Sequence, residues 1–143
     1  MTEGATVPVD AYRQTDFVVI QDGAEITVHL GETSDALDRL LTKLGPATGI
    51  FITAWNPYSR TQSAVSNAAA NARMAALFEC RGIRVLSHIG RSRTSAWSED
   101  GFFALDLDPA DALAIAREFH QHAVVHAPAG KPAELLLTGL AQP

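Results

Sequence analysis

Thr48-Gly49-Ile50-Phe51-Ile52-Thr53-Ala54-Trp55-Asn56-Pro57 is the stretch that decides how this chain folds. Residues 48–55 are nearly all apolar, which suits a strand buried on both faces. Asn56-Pro57 stops the run, and the proline holds Asn56 to an extended backbone. A strand covered on both sides needs partners on each, and the flanking sequence supplies them.

Upstream lies an amphipathic helix. Ser34 is placed to cap it, and Asp35 and Asp38 stand in its first turn, where the helix dipole favours acids. Leu37, Leu40, Leu41 and Leu44 form one apolar stripe, and Gly45-Pro46 ends it. Before that helix, residues 16–20 are apolar and residues 25–30 alternate. Asp22-Gly23 sits between them, so the two runs read as an antiparallel hairpin. Downstream, a second helix is expected over residues 62–80, stopped by Gly82. Residues 83–89 and 101–107 read as strands, separated by the loop 90–96. Asp108-Pro109 opens a third helix, with Ala112, Ile115, Ala116 and Phe119 as its buried stripe. Residues 123–126 and 134–138 read as the last two strands, joined by a Pro/Gly-rich turn. The order is ββαβαββαββ. The expected fold is α+β: one domain over residues 12–143, with three helices packed on a mixed, mostly antiparallel sheet. Residues 1–11 read as a flexible tail.

Length and composition agree. The chain has 143 residues, 47% hydrophobic and 19% charged. That mix excludes disordered, collagen-like and coiled-coil classes. No apolar run approaches the ~18 residues of a membrane span. Residues 1–10 carry two acids and no base, unlike a signal peptide. The single cysteine, Cys80, excludes an internal disulfide, and its place at a helix end reads as a small buried hydrophobe. A cytoplasmic location is therefore expected.

Charge is uneven. Residues 1–50 hold eight acids and three bases, and residues 101–143 hold five and two. Residues 51–100 reverse the sign, with six bases against three acids. All six are arginines: Arg60, Arg73, Arg81, Arg84, Arg91 and Arg93. Arginine forks suit carboxylates and phosphates, so a small anionic ligand is one expectation. Pairing of these arginines with surface acids is the other. The acidic total and the scarcity of lysine argue against nucleic acid.

Two places carry candidate chemistry. The first is the end of the central strand. At about 100° per residue, Asn67, Asn71, Met74 and Phe78 share one stripe of the second helix, polar in its first half. If Met74 and Phe78 face the core, Asn67 and Asn71 point toward Asn56. Buried amides need partners for two donors and two acceptor lone pairs. Either they brace the loop or they bind a ligand. The second place is Trp97-Ser98-Glu99. A carboxylate beside tryptophan is desolvated toward a general acid–base range, which makes Glu99 the candidate catalytic group. A surface glutamate, or a partner for Arg91 or Arg93, is the alternative. His122 and His126 on one strand lie roughly 13 Å apart, too far to share a metal ion, and His120 with His122 could share one but has no evident third ligand. His29 and His88 stand alone. No nucleophile elbow, P-loop or dinucleotide fingerprint occurs, so neither metal nor cofactor is expected.

Tyr12-Arg13-x-Thr15-x-Phe17, Phe51-Ile52-Thr53-Ala54-Trp55-Asn56-Pro57, Asn67, Trp97-x-Glu99 and Phe119-x-Gln121-x-Ala123-Val124 stand in this order. Together they resemble the small bacterial family called domain of unknown function 3293, over residues 12–137. The family name brings no activity. The resemblance implies that Arg13, Asn56, Asn67, Trp97, Glu99 and Gln121 lie on motif elements. Arg13 and Gln121 enter on this ground alone. The family pattern often has serine after the acidic pair. Here the position is Gly101, so a role for that serine does not carry over.

The leading expectation is a domain that binds or acts on a small anionic or amide-bearing molecule at the end of the third strand. Arg13, Asn56, Asn67, Asn71, Trp97 and Gln121 would bind it, and Glu99 would move any proton. The alternative is a non-catalytic interaction module. The apolar stretch Leu135-Leu136-Leu137 would then serve as an edge for a partner or a homo-oligomer.

Overall fold

The hairpin signal at Asp22-Gly23 is realised with both residues at positive φ, 52° and 78°, the backbone a tight two-residue turn demands. It joins β1 (Thr15–Gln21) to β2 (Ala24–Val28). The computed structural model describes residues 7–140. Residues 1–6 of the expected tail and residues 141–143 of the expected domain lie outside the described residues.

A short helix, α1 (Val9–Arg13), precedes β1. The remaining elements are α2 (Asp35–Leu44), β3 (Thr48–Ile52), α3 (Ala64–Cys80), β4 (Val85–Ser92), β5 (Ser98–Leu105), α4 (Pro109–Glu118), β6 (Ala123–Pro128) and β7 (Glu134–Leu137). The expected order holds, with a fourth helix added across the boundary between the stretch read as tail and the domain. Ser34 caps α2 by accepting from the Leu37 N–H at 3.1 Å, and Asp108 caps α4 through Ala110 at 2.8 Å. Gly45 closes α2 at φ 106°, a conformation that glycine alone adopts freely.

The seven strands form one sheet in the order β2-β1-β4-β5-β3-β6-β7. Every named pair is antiparallel. A lone parallel bridge, Leu30 to Ala133, draws the two edges of the curled sheet together at one end. Alternation along the strands separates two cores. Phe17, Val19, Phe51, Phe103 and Val125 meet Leu37, Leu40 and Leu41 of α2 on one face. Ile50, Ile52, Ala104 and Val124 meet Met74 and Phe78 of α3 and Ile115 of α4 on the other. β3 is thus covered on both faces, as its unbroken apolar run requires. It has no room to spare at Gly49, where a Cβ would stand 2.0 Å from the Phe103 ring.

Two boundaries differ in ways that matter for function. β3 leaves the ladder after Ile52 rather than at Trp55. The groups beyond it bond elsewhere: Thr53 Oγ1 donates to the Asp100 carbonyl at 2.6 Å, and the Ala54 N–H donates to Asn71. The β4–β5 hairpin runs further than expected, with Gly90 opposite Glu99 and Arg91 opposite Ser98. Glu99 is therefore fixed in a strand, not in a loop before one. Cys80 is exposed at the last residue of α3, not buried. Among the described residues, no helix is long and apolar enough to cross a membrane.

Candidate functional site

Asn56 is the hub of the loop that follows β3. Its backbone is left-handed, φ 50° and ψ 63°, not the extended conformation expected before a proline. Its hydrogen bonds explain the difference. The Asn56 N–H donates to Asn67 Oδ1 at 2.9 Å. Its Oδ1 accepts from the Gln62 N–H at 2.9 Å and from Asn67 Nδ2 at 3.1 Å. Its Nδ2 donates to Glu99 Oε2 at 2.7 Å. Asparagine tolerates this region better than other side chains, and four bonds hold it there. Tyr58 and Ser59 also have positive φ, 57° and 60°. Non-glycine strain of this kind gathers at functional sites.

The three asparagines do converge, and they divide the work. Asn67 is buried, with both ends of its amide committed to Asn56. Asn71 accepts from Ala54 N–H and donates to the Asp100 carbonyl, both at 3.0 Å. It ties α3 to the ends of β3 and β5 and does not line the open space beside them. Bracing accounts for Asn67 and Asn71. Asn56 braces and also reaches outward to Glu99.

That open space is a basin of about 530 Å³, within the usual range for small-molecule sites. Tyr12, Asn56, Ser59, Trp97, Glu99 and Gln121 line it, with Asp10 of α1 and with Thr15, Ser92, Thr94 and Ser95. Trp97 forms a half-exposed wall, at 42%. Gln121 is buried, and its Nε2 donates to the Trp55 carbonyl at 2.9 Å. Burial pushes the Glu99 carboxyl up to about 7, against the opposing pull of the Asn56 hydrogen bond. Burial first, and then the charge of Glu99, push the Tyr12 phenol up to about 12. At neutral pH the phenol therefore keeps its proton, while the carboxyl is poised to give or take one.

Beneath Glu99 lies a chamber of about 40 Å³ that shares Tyr12, Trp97 and Gln121 with the basin and reaches His88. That volume has room for a water molecule. His88 Nδ1 lies 3.0 Å from the Val18 carbonyl. A carbonyl only accepts, so this nitrogen carries the ring proton. Burial pushes the imidazole down to about 4, so it is neutral.

Arg13 is not brought to the basin. Its guanidinium pairs with Asp10 at 3.3 Å on the surface. Among the described residues, no lysine or arginine lines the basin. Arg91 forms a bidentate pair with Glu25 at 3.0 and 3.1 Å, and this holds Glu25 below the usual carboxylate range. Arg93 lies 3.5 Å from Asp16 and also donates to the Arg13 carbonyl. Arg81 approaches Glu118 at 4.0 Å. Neither Arg91 nor Arg93 partners Glu99.

Tyr12 and Ser59 are the site residues that sequence reasoning misses. Tyr12 stands in the same motif as Arg13, and its large ring directly before β1 is the available signal. Ser59 has none, because its place depends on the strained turn. Its hydroxyl lies 2.9 Å from His122 Nδ1. His122 is buried, and its Nε2 has no partner. A nucleophile–base pair needs a third group to orient the imidazole, and none of the described residues supplies it. Among the described residues, no three His, Cys, Asp or Glu side chains are grouped to hold a metal ion.

A family model described as "Protein of unknown function (DUF3293)" matches residues 52–124. The match runs from the end of β3 into β6. It includes Asn56, Asn67, Asn71, Trp97, Glu99 and Gln121, and leaves out Tyr12 and Arg13. No curated protein and no solved structure matches the chain.

Proposed function

The chain belongs to the DUF3293 family, whose description names no activity, and we propose that its basin binds a small organic molecule and exchanges a proton with it through Glu99. One observation carries this reading. A carboxyl in a strand, half-buried and held by Asn56, titrates near neutrality at the floor of an open basin. Tyr12 offers a phenol that stays protonated, Trp97 an apolar wall, and Gln121 an amide oxygen, its Nε2 being held by the Trp55 and Phe119 carbonyls. The amide-bearing ligand expected from the sequence keeps these partners. The anionic ligand does not, because among the described residues no arginine or lysine lines the basin.

A screen of small aromatic amines, amides, alcohols and carboxylates, read by NMR on the labelled protein, tests the proposal. The expected result is that some of them shift the Trp97 indole and the amides of residues 56 and 58–61 together. Trp97→Ala, a change at an exposed wall, should weaken the shifts of the loop amides without unfolding the protein. A screen that moves neither group of signals would sink the proposal. The interaction-module alternative has one observation of its own: β7 is an edge strand with Leu137 at 48% exposure.

A further inference from the structure

Glu99 presents an unusual imbalance. One oxygen, Oε2, accepts from Asn56 Nδ2. Among the described residues nothing donates to Oε1. That oxygen is not among the sealed, unpartnered atoms, which are Thr48 Oγ1 and His122 Nε2. It therefore opens onto the basin or the chamber beneath. A half-buried carboxylate normally has a cation or several donors beside it. Here the titratable groups that face it are Tyr12 from α1, His88 from β4 across the chamber, and Asp10 at the rim. Tyr12 and His88 are neutral, and Asp10 is an acid already shared with Arg13. The site supplies negative charge and acceptor oxygens, with two aromatic rings, Tyr12 and Trp97, in its walls. Aromatic faces attract cations in the same sense as a carboxylate does.

We infer that the molecule taken into the basin carries a cationic nitrogen, an amine or amidine, seated on Glu99 with its organic body against Trp97. This rests on the proposed binding role of the basin and names its ligand class. An ammonium or amidinium N–H would fill the open position on Oε1 and supply the charge that the described residues do not. It would also draw Glu99 into its ionised form, releasing a proton to solvent from the fraction of molecules that held one. An anion would meet the same carboxylate with repulsion.

Three probes of one shape separate the possibilities: benzylammonium, benzyl alcohol and benzoate, titrated into the wild type and Glu99→Gln with NMR detection. A charge-assisted bond to Glu99 makes benzylammonium bind roughly tenfold tighter than benzyl alcohol. Because the cation selects the ionised carboxyl, its affinity rises about tenfold between about pH 6 and pH 8, through the Glu99 midpoint of about 7. Glu99→Gln keeps an oxygen to accept from Asn56 and abolishes both effects. Benzyl alcohol or benzoate binding as tightly as the cation would overturn the inference and leave the binding role standing. Cation binding that is flat with pH, or unchanged in Glu99→Gln, would also overturn it. If none of the three shifts the basin signals, the inference and the binding role fall together.

Discussion

Replacing Glu99 by glutamine will stabilise the protein above neutrality and leave it unchanged below about pH 4. The folded carboxyl titrates near 7, raised from 4.5 by burial. For an acid raised in this way, the unfolded chain ionises first. Stability is therefore intact below about 4.5, falls as pH rises toward 7, and stays low beyond it. Each pH unit between the unfolded and folded midpoints is worth about 1.4 kcal/mol, so the ionised carboxyl costs the fold on the order of 3 kcal/mol above neutrality. Glutamine removes that cost and keeps an oxygen to accept from Asn56. The expected gain in melting temperature is roughly 10 °C at about pH 8. Melting curves of both proteins across this range provide the check. A variant less stable than the wild type at every pH would show that Glu99 is held for structure. A gain confined to high pH is the mark of a group kept at the expense of stability, as functional groups often are.

Asn56→Ala has the largest expected loss. The substitution strips the acceptor from the Gln62 N–H and from Asn67 Nδ2, and the donor from Glu99. Each buried polar group left alone costs about 1–3 kcal/mol. Alanine also costs about 1 kcal/mol in the left-handed backbone that Asn56 occupies at φ 50°. Together these lower stability by roughly 4 kcal/mol, or by more than 10 °C in melting temperature. Urea unfolding measures it. A loss under about 1 kcal/mol would mean that the loop is not held by this amide.

Much of the architecture is legible because period and punctuation agree along the chain. The Leu37, Leu40, Leu41 and Leu44 stripe, the Asp22-Gly23 turn and the unbroken run at residues 50–52 each have one geometry that buries them well. The misses are physical. α1 spans five residues after a proline, too short to show a stripe. The ends of β4 and β5 are polar at Arg91, Ser92 and Ser98, and their strand character comes from pairing across the hairpin. The proline after Asn56 favours an extended backbone there. The four hydrogen bonds that override that preference come from residues further along the chain.

The site is legible in the same uneven way. Asn67 can be placed beside Asn56 because helix geometry aligns it with Met74 and Phe78. Glu99 can be expected in a desolvated setting because Trp97 precedes it. Whether Asn71 faces a ligand or the backbone depends on where β3 leaves the sheet, and it leaves early enough for Asn71 to take the Ala54 N–H. Arg13 and Tyr12 are adjacent, and only the turn of α1 decides which one enters the basin. The six arginines of the middle third suggest an anion. Those that pair do so on other strands and helices, at Glu25, Asp16, Glu118 and the Leu44 carbonyl, which local sequence does not reveal.

The most direct measurement is the titration of the Glu99 side-chain carboxyl in the free protein, followed by carbon-13 NMR with assignment through Glu99→Gln. The account requires a midpoint near 7, moving lower when benzylammonium is added. A midpoint near 4.5, the ordinary value for glutamate, would contradict it. The carboxyl would then be a solvated group at the edge of a passive hollow.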